Sequence, residues 1–77
     1  MKQNPKHGLF EVRFGLGAVR KGFISQEHLL KALEIQVLEE IEFGRHRKIG
    51  EILLNQDLLT TDQVENVLKD IYLEIST

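Results

Sequence analysis

The chain has no cysteine and no tryptophan, a single proline, and no long run of apolar residues. Each absence excludes a class of protein. Without cysteine there is neither a disulfide framework nor a thiolate metal site. His7, His28 and His46 are far apart and lack the H-x-x-x-H spacing that sets two imidazoles on one helix face, so no metal site is expected. The short apolar runs exclude a membrane-spanning helix. Lys2 and Lys6 are followed by no apolar stretch, so no secretory leader is expected, and a cytoplasmic setting is the default. Neither sign of charge dominates. The net charge is −2, which gives no general attraction to nucleic acid.

Catalytic signatures are also missing. There is no G-x-S-x-G, no H-E-x-x-H and no phosphate loop of the Walker type. The carboxylates fall on expected outer helix faces or in helix caps. No catalytic residue, enzymatic activity or cofactor is therefore expected.

What is present is enough apolar residue, 42% of 77, to fold one domain and too much for disorder. A core this small is marginal unless it is well patterned or shared with a partner. Residues 1–8 are polar, hold the one proline, Pro5, and read as a flexible tail. The domain proper is expected over residues 9–77. A first helix is predicted over Leu9–Lys21, with Phe10, Phe14 and Ala18 making one apolar face and Leu16 and Val19 beside them. Gly15 and Gly17 lie inside it, each costing about 1 kcal/mol relative to alanine. Either close helix packing or backbone approach to a ligand would offset that cost. Gly22 suits a left-handed helix end.

Ser25 then reads as an N-cap, with Glu27 in the first turn where the helix dipole favours a carboxylate. His28 fits a surface or capping position. The second helix is predicted over Gln26–Phe43, with Leu29, Leu33, Val37 and Ile41 as its core-facing row, and Gly44 ends it. A short basic link, Gly44–Arg47, leads to a third helix at Lys48–Gln56 with Ile49, Ile52 and Leu53 inward. Thr60-x-x-Gln63 is a capping-box pattern that opens a fourth helix running to about Leu73. Val64, Val67, Leu68 and Ile71 face inward on it, with Tyr72 and Ile75 at the core edge.

The two halves repeat. At an offset of 35 residues, Gly15 meets Gly50, Phe14 meets Ile49, Phe23-Ile24 meets Leu58-Leu59, Ser25 meets Thr60, Glu27 meets Asp62 and Leu33 meets Leu68. The expected fold is therefore all-α: four short helices forming two tandem helix-turn-helix repeats, about 10–44 and 45–77, packed on each other because neither pair can bury its face alone. The repeats differ in charge. Residues 13–36 carry four cations against two carboxylates, and residues 48–71 carry two against five. Anion binding is thus better sought in the first repeat or the Arg45-His46-Arg47-Lys48 cluster, although a solvated surface also explains the asymmetry. DNA binding is not expected, since the second helix, the would-be reader, is dominated by glutamates that repel phosphate.

Arg13, Gly15, Val19, Gly22, Leu29, Leu33 and Gln36 are spaced as in R-L-G-x-x-L-L-x-x-G-x(6)-L-x-x-x-L-x-x-Q. This resembles the tandem motif of the N-terminal domain of type II secretion and type IV pilus assembly ATPases, a subset of which binds cyclic di-GMP. Phe14 and Ala18 stand where leucines are usual. The second copy retains Gly50, Leu53, Leu54 and Leu68 but has Lys48 for arginine, Asp57 for glycine, Val64 for leucine and Ile71 for glutamine. The resemblance implies a small interaction or adaptor module that binds a protein partner or itself, or alternatively a cyclic di-GMP receptor. It also implies the ligand-binding positions of such a receptor: Arg13, Gly15, Val19, Gly22, Leu29, Leu33, Gln36, Lys48 and Gly50. Arg13 would meet a guanine, Gly15 and Gly22 would admit the ligand, Val19, Leu29 and Leu33 would supply apolar contact, and Gln36 would bond a polar edge. Equally, Arg13 fits a solvated helix position, Leu29 and Leu33 fit the core, and Gln36 fits the surface.

Overall fold

The computed structural model describes residues 5–76, and side-chain environments over residues 10–73. It has four helices: α1 (Pro5–Arg20), α2 (Gln26–Phe43), α3 (Ile49–Asn55) and α4 (Thr61–Ser76). No strand occurs among the described residues, and none of these helices is long and apolar enough to cross a membrane. The fold class is all-α.

The helix limits follow from local chemistry. α1 starts at Pro5, earlier than the expected Leu9, because proline at a first helical position lacks only a donor that would have no partner there. Residues 5–8 of the expected tail are thus helical, and residues 1–4 lie outside the described chain. α1 ends where Gly22 turns left-handed at φ 77°: its N–H reaches the Val19 carbonyl at 2.9 Å, and the Phe23 N–H reaches Ala18 at 3.0 Å. The end of α3 repeats this 35 residues later. Asp57, at φ 59°, donates to the Leu54 carbonyl at 3.0 Å, and Leu58 donates to Leu53 at 3.0 Å. Both are the paired 6→1 and 5→2 bonds of a Schellman end. Asp57 supplies the left-handed residue where glycine would be least strained, since aspartate is one of the few other residue types that visit this region.

The following helix starts also correspond. The Ser25 hydroxyl accepts from the His28 N–H at 3.1 Å, and the Ser25 N–H donates to His28 Nδ1 at 3.2 Å. Thr60 and Gln63 make the same reciprocal pair at 3.1 and 2.9 Å. His28 is therefore a capping residue. α2 spans the expected range and ends on Gly44 at φ 65°.

α1 is the hub, packing against each of the other three helices, and α2 also packs on α3. The core comprises Phe14 and Ala18 of α1, Ile24, Leu29 and Ala32 of the first turn and α2, Ile49, Ile52 and Leu53 of α3, and Leu59, Val67 and Ile71 of the second turn and α4. Phe10, Val19, Leu33, Val64 and Leu68 pack partly buried against it.

Three expectations of burial are corrected. The row Leu29-Leu33-Val37-Ile41 does not stay on the core: Leu29 is buried, Leu33 half-buried, Val37 52% exposed and Ile41 73% exposed. A step of four residues overshoots one helical turn by about 40°, so by Ile41 the row has wound about 120° around the axis. The face that tracks the core is instead Leu29, Ala32, Ile35, Gln36 and Glu39, all buried or half-buried. Leu16 is exposed. Tyr72, expected at the core edge, is 63% exposed; the side chain of Ile75 lies outside the described ones.

Candidate functional site

The most unusual group in the molecule is Glu11, a carboxylate only 5% exposed. It lies on the inward side of α1, one turn before Phe14. Its Oε1 accepts the backbone N–H of Ile49 at 2.7 Å and Gln36 Nε2 at 2.8 Å. Gln36 uses the same amide nitrogen to donate to the Arg47 carbonyl at 3.0 Å. Lys48 is the N-cap of α3 by position but makes no side-chain cap bond. Glu11 supplies that cap from another helix, placing negative charge at the positive end of the α3 dipole. Carboxylates were expected on outer helix faces or in caps; Glu11 is buried on an inner face and caps a helix other than its own. The available signal was a charged residue at position i−3 from Phe14, inside an otherwise apolar face.

Beside this node, Arg47 Nε donates to Glu39 Oε1 at 2.9 Å, and Arg47 Nη2 pairs with Glu39 Oε2. Hydrogen bonds from Arg47 hold the Glu39 carboxyl below its ordinary range, and Glu39 in turn raises Arg47. For a carboxyl lowered on folding, the stabilisation is present above its unfolded pKa and is lost as pH falls through the folded one. Arg45 stacks over the Phe43 ring, 5.5 Å from its centre. The basic link is thus partly committed to the fold.

The nine residues that the motif suggested separate into different environments. Gly15 is a packing glycine: a Cβ there would lie 2.3 Å from Leu29 Cδ1, so α1 and α2 touch at this point. Leu29 is buried in the same contact and Leu33 is half-buried beside it. Gly50 is the matching position of α3, where a Cβ would come within 3.1 Å of Phe14 Cζ. Val19 is half-buried against the core and Gly22 forms the αL turn. Gln36 joins Glu11 to the link, and Lys48 is exposed at the start of α3. Arg13 is exposed and lines a cleft that none of the other eight residues lines.

That cleft lies between α1 and α4 and has a volume of about 400 Å³, near the small end of the range for ligand clefts. Leu16, Gly17, Val67 and Ile71 supply its apolar lining; Arg13, Arg20, Lys21 and Asp70 supply its charge. Lys21 Nζ pairs with Asp70 Oδ2 at 2.6 Å. Gly17 lets α4 approach, since a Cβ there would be 3.1 Å from Val67 Cγ1.

A second surface is apolar. On α2, Leu30, Val37 and Ile41 fall within about 40° of one another around the helix, and Leu38 and Phe43 are exposed nearby in sequence. Among the described residues no group of His, Asp or Glu could hold a metal ion. No protein-family model, curated protein or solved structure matches this chain.

Proposed function

We propose that the protein is a small interaction module, an adaptor of the kind suggested by its resemblance to the secretion-ATPase N-terminal domain, and that it engages another polypeptide through α2. The supporting observation is the row Leu30, Val37 and Ile41, 58%, 52% and 73% exposed on one side of a capped helix. Apolar side chains gathered on one face gain by leaving water, whereas scattered ones need no explanation. Val37→Glu combined with Ile41→Glu tests this. Both sites are exposed, so the variant should melt within about 0.5 kcal/mol of the parent. In light scattering it should lose the self-association or partner binding of the parent chain. A variant that associates as the parent does would remove α2 from the interface.

A second reading is a cyclic di-GMP receptor, favoured by the Arg13–Gln36 motif and by the cleft that Arg13 and Arg20 line. Calorimetric titration with cyclic di-GMP, with GMP as control, decides it. Binding that disappears in Arg13→Ala supports the receptor; absence of heat with the parent chain eliminates it.

A further inference from the structure

Residues 44–48 join the two repeats without helix, and Arg45-His46-Arg47-Lys48 sets four basic residues in a row there. Endopeptidases cut exposed, non-helical backbone in preference to hydrogen-bonded helix. The three permanent cations of the link are not equally open to attack. Arg47 is held at both ends: its guanidinium pairs with Glu39, and its carbonyl accepts Gln36 Nε2 at 3.0 Å. The bond after Lys48 leads into Ile49, which is buried and whose N–H is bonded to Glu11. Arg45 is exposed over an exposed Phe43 ring, and no described residue donates to its carbonyl. His46, on the far side of that bond, is exposed as well. The other two arginines of the chain, Arg13 and Arg20, lie in α1, and the turns at 21–25 and 56–60 contain none.

We propose that the Arg45–His46 peptide bond is a cleavage site for an arginine-selective endopeptidase, and that the cut chain stays folded as a complex of residues 1–45 with residues 46–77. The step is hydrolysis: water adds across the bond, Arg45 keeps the new carboxylate and His46 keeps the new amine. The two pieces hold together because packing runs between the repeats, with α1 on α3 and α4, and α2 on α3. Phe14 meets Gly50 and Gly17 meets Val67 across the division. Arg47 stays paired with Glu39 of the other piece. The new carboxylate follows the C-terminal end of α2, where the helix dipole opposes it, so the cut form is less stable than the parent. Its folding also joins two molecules, and its stability falls on dilution.

Limited digestion of the intact chain with an arginine-selective protease tests both halves of the proposal. Mass spectrometry should find residues 1–45 and 46–77 as the first products. Gel filtration of the digest should elute the two pieces together, at the position of the parent, with the helical circular dichroism retained. Arg45→Gln should lose this cut. Glu39→Gln frees the Arg47 guanidinium and should add a cut after Arg47. Circular dichroism before digestion establishes that each variant is folded. A first cut after Arg13, Arg20 or Arg47 in the parent, or a parent that resists digestion, would overturn the site. So would an Arg45→Gln chain cut in the link as fast as the parent. Pieces that elute apart or lose their helicity would overturn the two-piece complex.

Discussion

Phe14→Ala should lower the stability of this domain by about 3–5 kcal/mol, the range for deleting a fully packed aromatic ring. The ring is 3% exposed and rests against Gly50, where a Cβ would come within 3.1 Å of Phe14 Cζ. Phe14 thus joins the hub helix to the shortest helix, whose seven residues cannot be stable alone. A domain of this size has a total stability of about 4–12 kcal/mol, so the loss takes a quarter of it at the high end and all of it at the low end. Phe14→Leu keeps most of the apolar volume and should cost about 1.5 kcal/mol. Urea denaturation of the three proteins checks the order. A loss below about 1 kcal/mol for Phe14→Ala would place the ring outside the core.

Glu11→Ala should cost about 2–4 kcal/mol, because it removes one acceptor oxygen that satisfies two donors in a buried place. The Ile49 N–H would lose its cap, and Gln36 would lose its link to α1. Glu11→Gln provides the contrast. Both bonds end on Oε1, so a glutamine oxygen in the same place can accept both. Only the interaction of the negative charge with the α3 dipole and the charge-assisted part of each bond are lost, about 1 kcal/mol. Thermal melts should rank the proteins parent, Gln, Ala. Hydrogen exchange at the Ile49 amide should accelerate in Glu11→Ala far more than in Glu11→Gln. Equal losses in the two variants would mean that the charge itself, rather than the acceptor, holds the joint.

Much of the fold is readable from short-range chemistry. Ser25, Thr60 and Gln63 act on backbone groups within three residues, and Gly22 and Gly44 mark the left-handed ends, so the turns and the limits of α2 follow from sequence. Gly15 and Gly17 were open between close packing and ligand approach, and the sequence alone offers no neighbour to choose between them; Leu29 and Val67 stand against those positions. The Leu29-to-Ile41 row misled because spacing by four defines a line on the helix surface that winds away from any fixed neighbour. Which part of such a line is buried depends on where α1 and α3 pack on α2. Glu11 was missed for a related reason: its partners are 25 and 38 residues away, and a carboxylate on an apolar face is intelligible only once a helix N-terminus is known to lie opposite. Arg13 and the motif leucines have different surroundings, because Arg13 lines the cleft while Gly15 and Leu29 close the α1–α2 contact.

Self-association, one form of the interaction reading, can be tested without any substitution. Sedimentation equilibrium of the intact chain, over a wide range of concentration and at low and high salt, measures whether it associates with itself. Association of the exposed α2 row between copies predicts an average mass that rises above the 8.9 kDa of one chain with concentration. A mass that stays at 8.9 kDa under every condition would contradict association between copies of this protein.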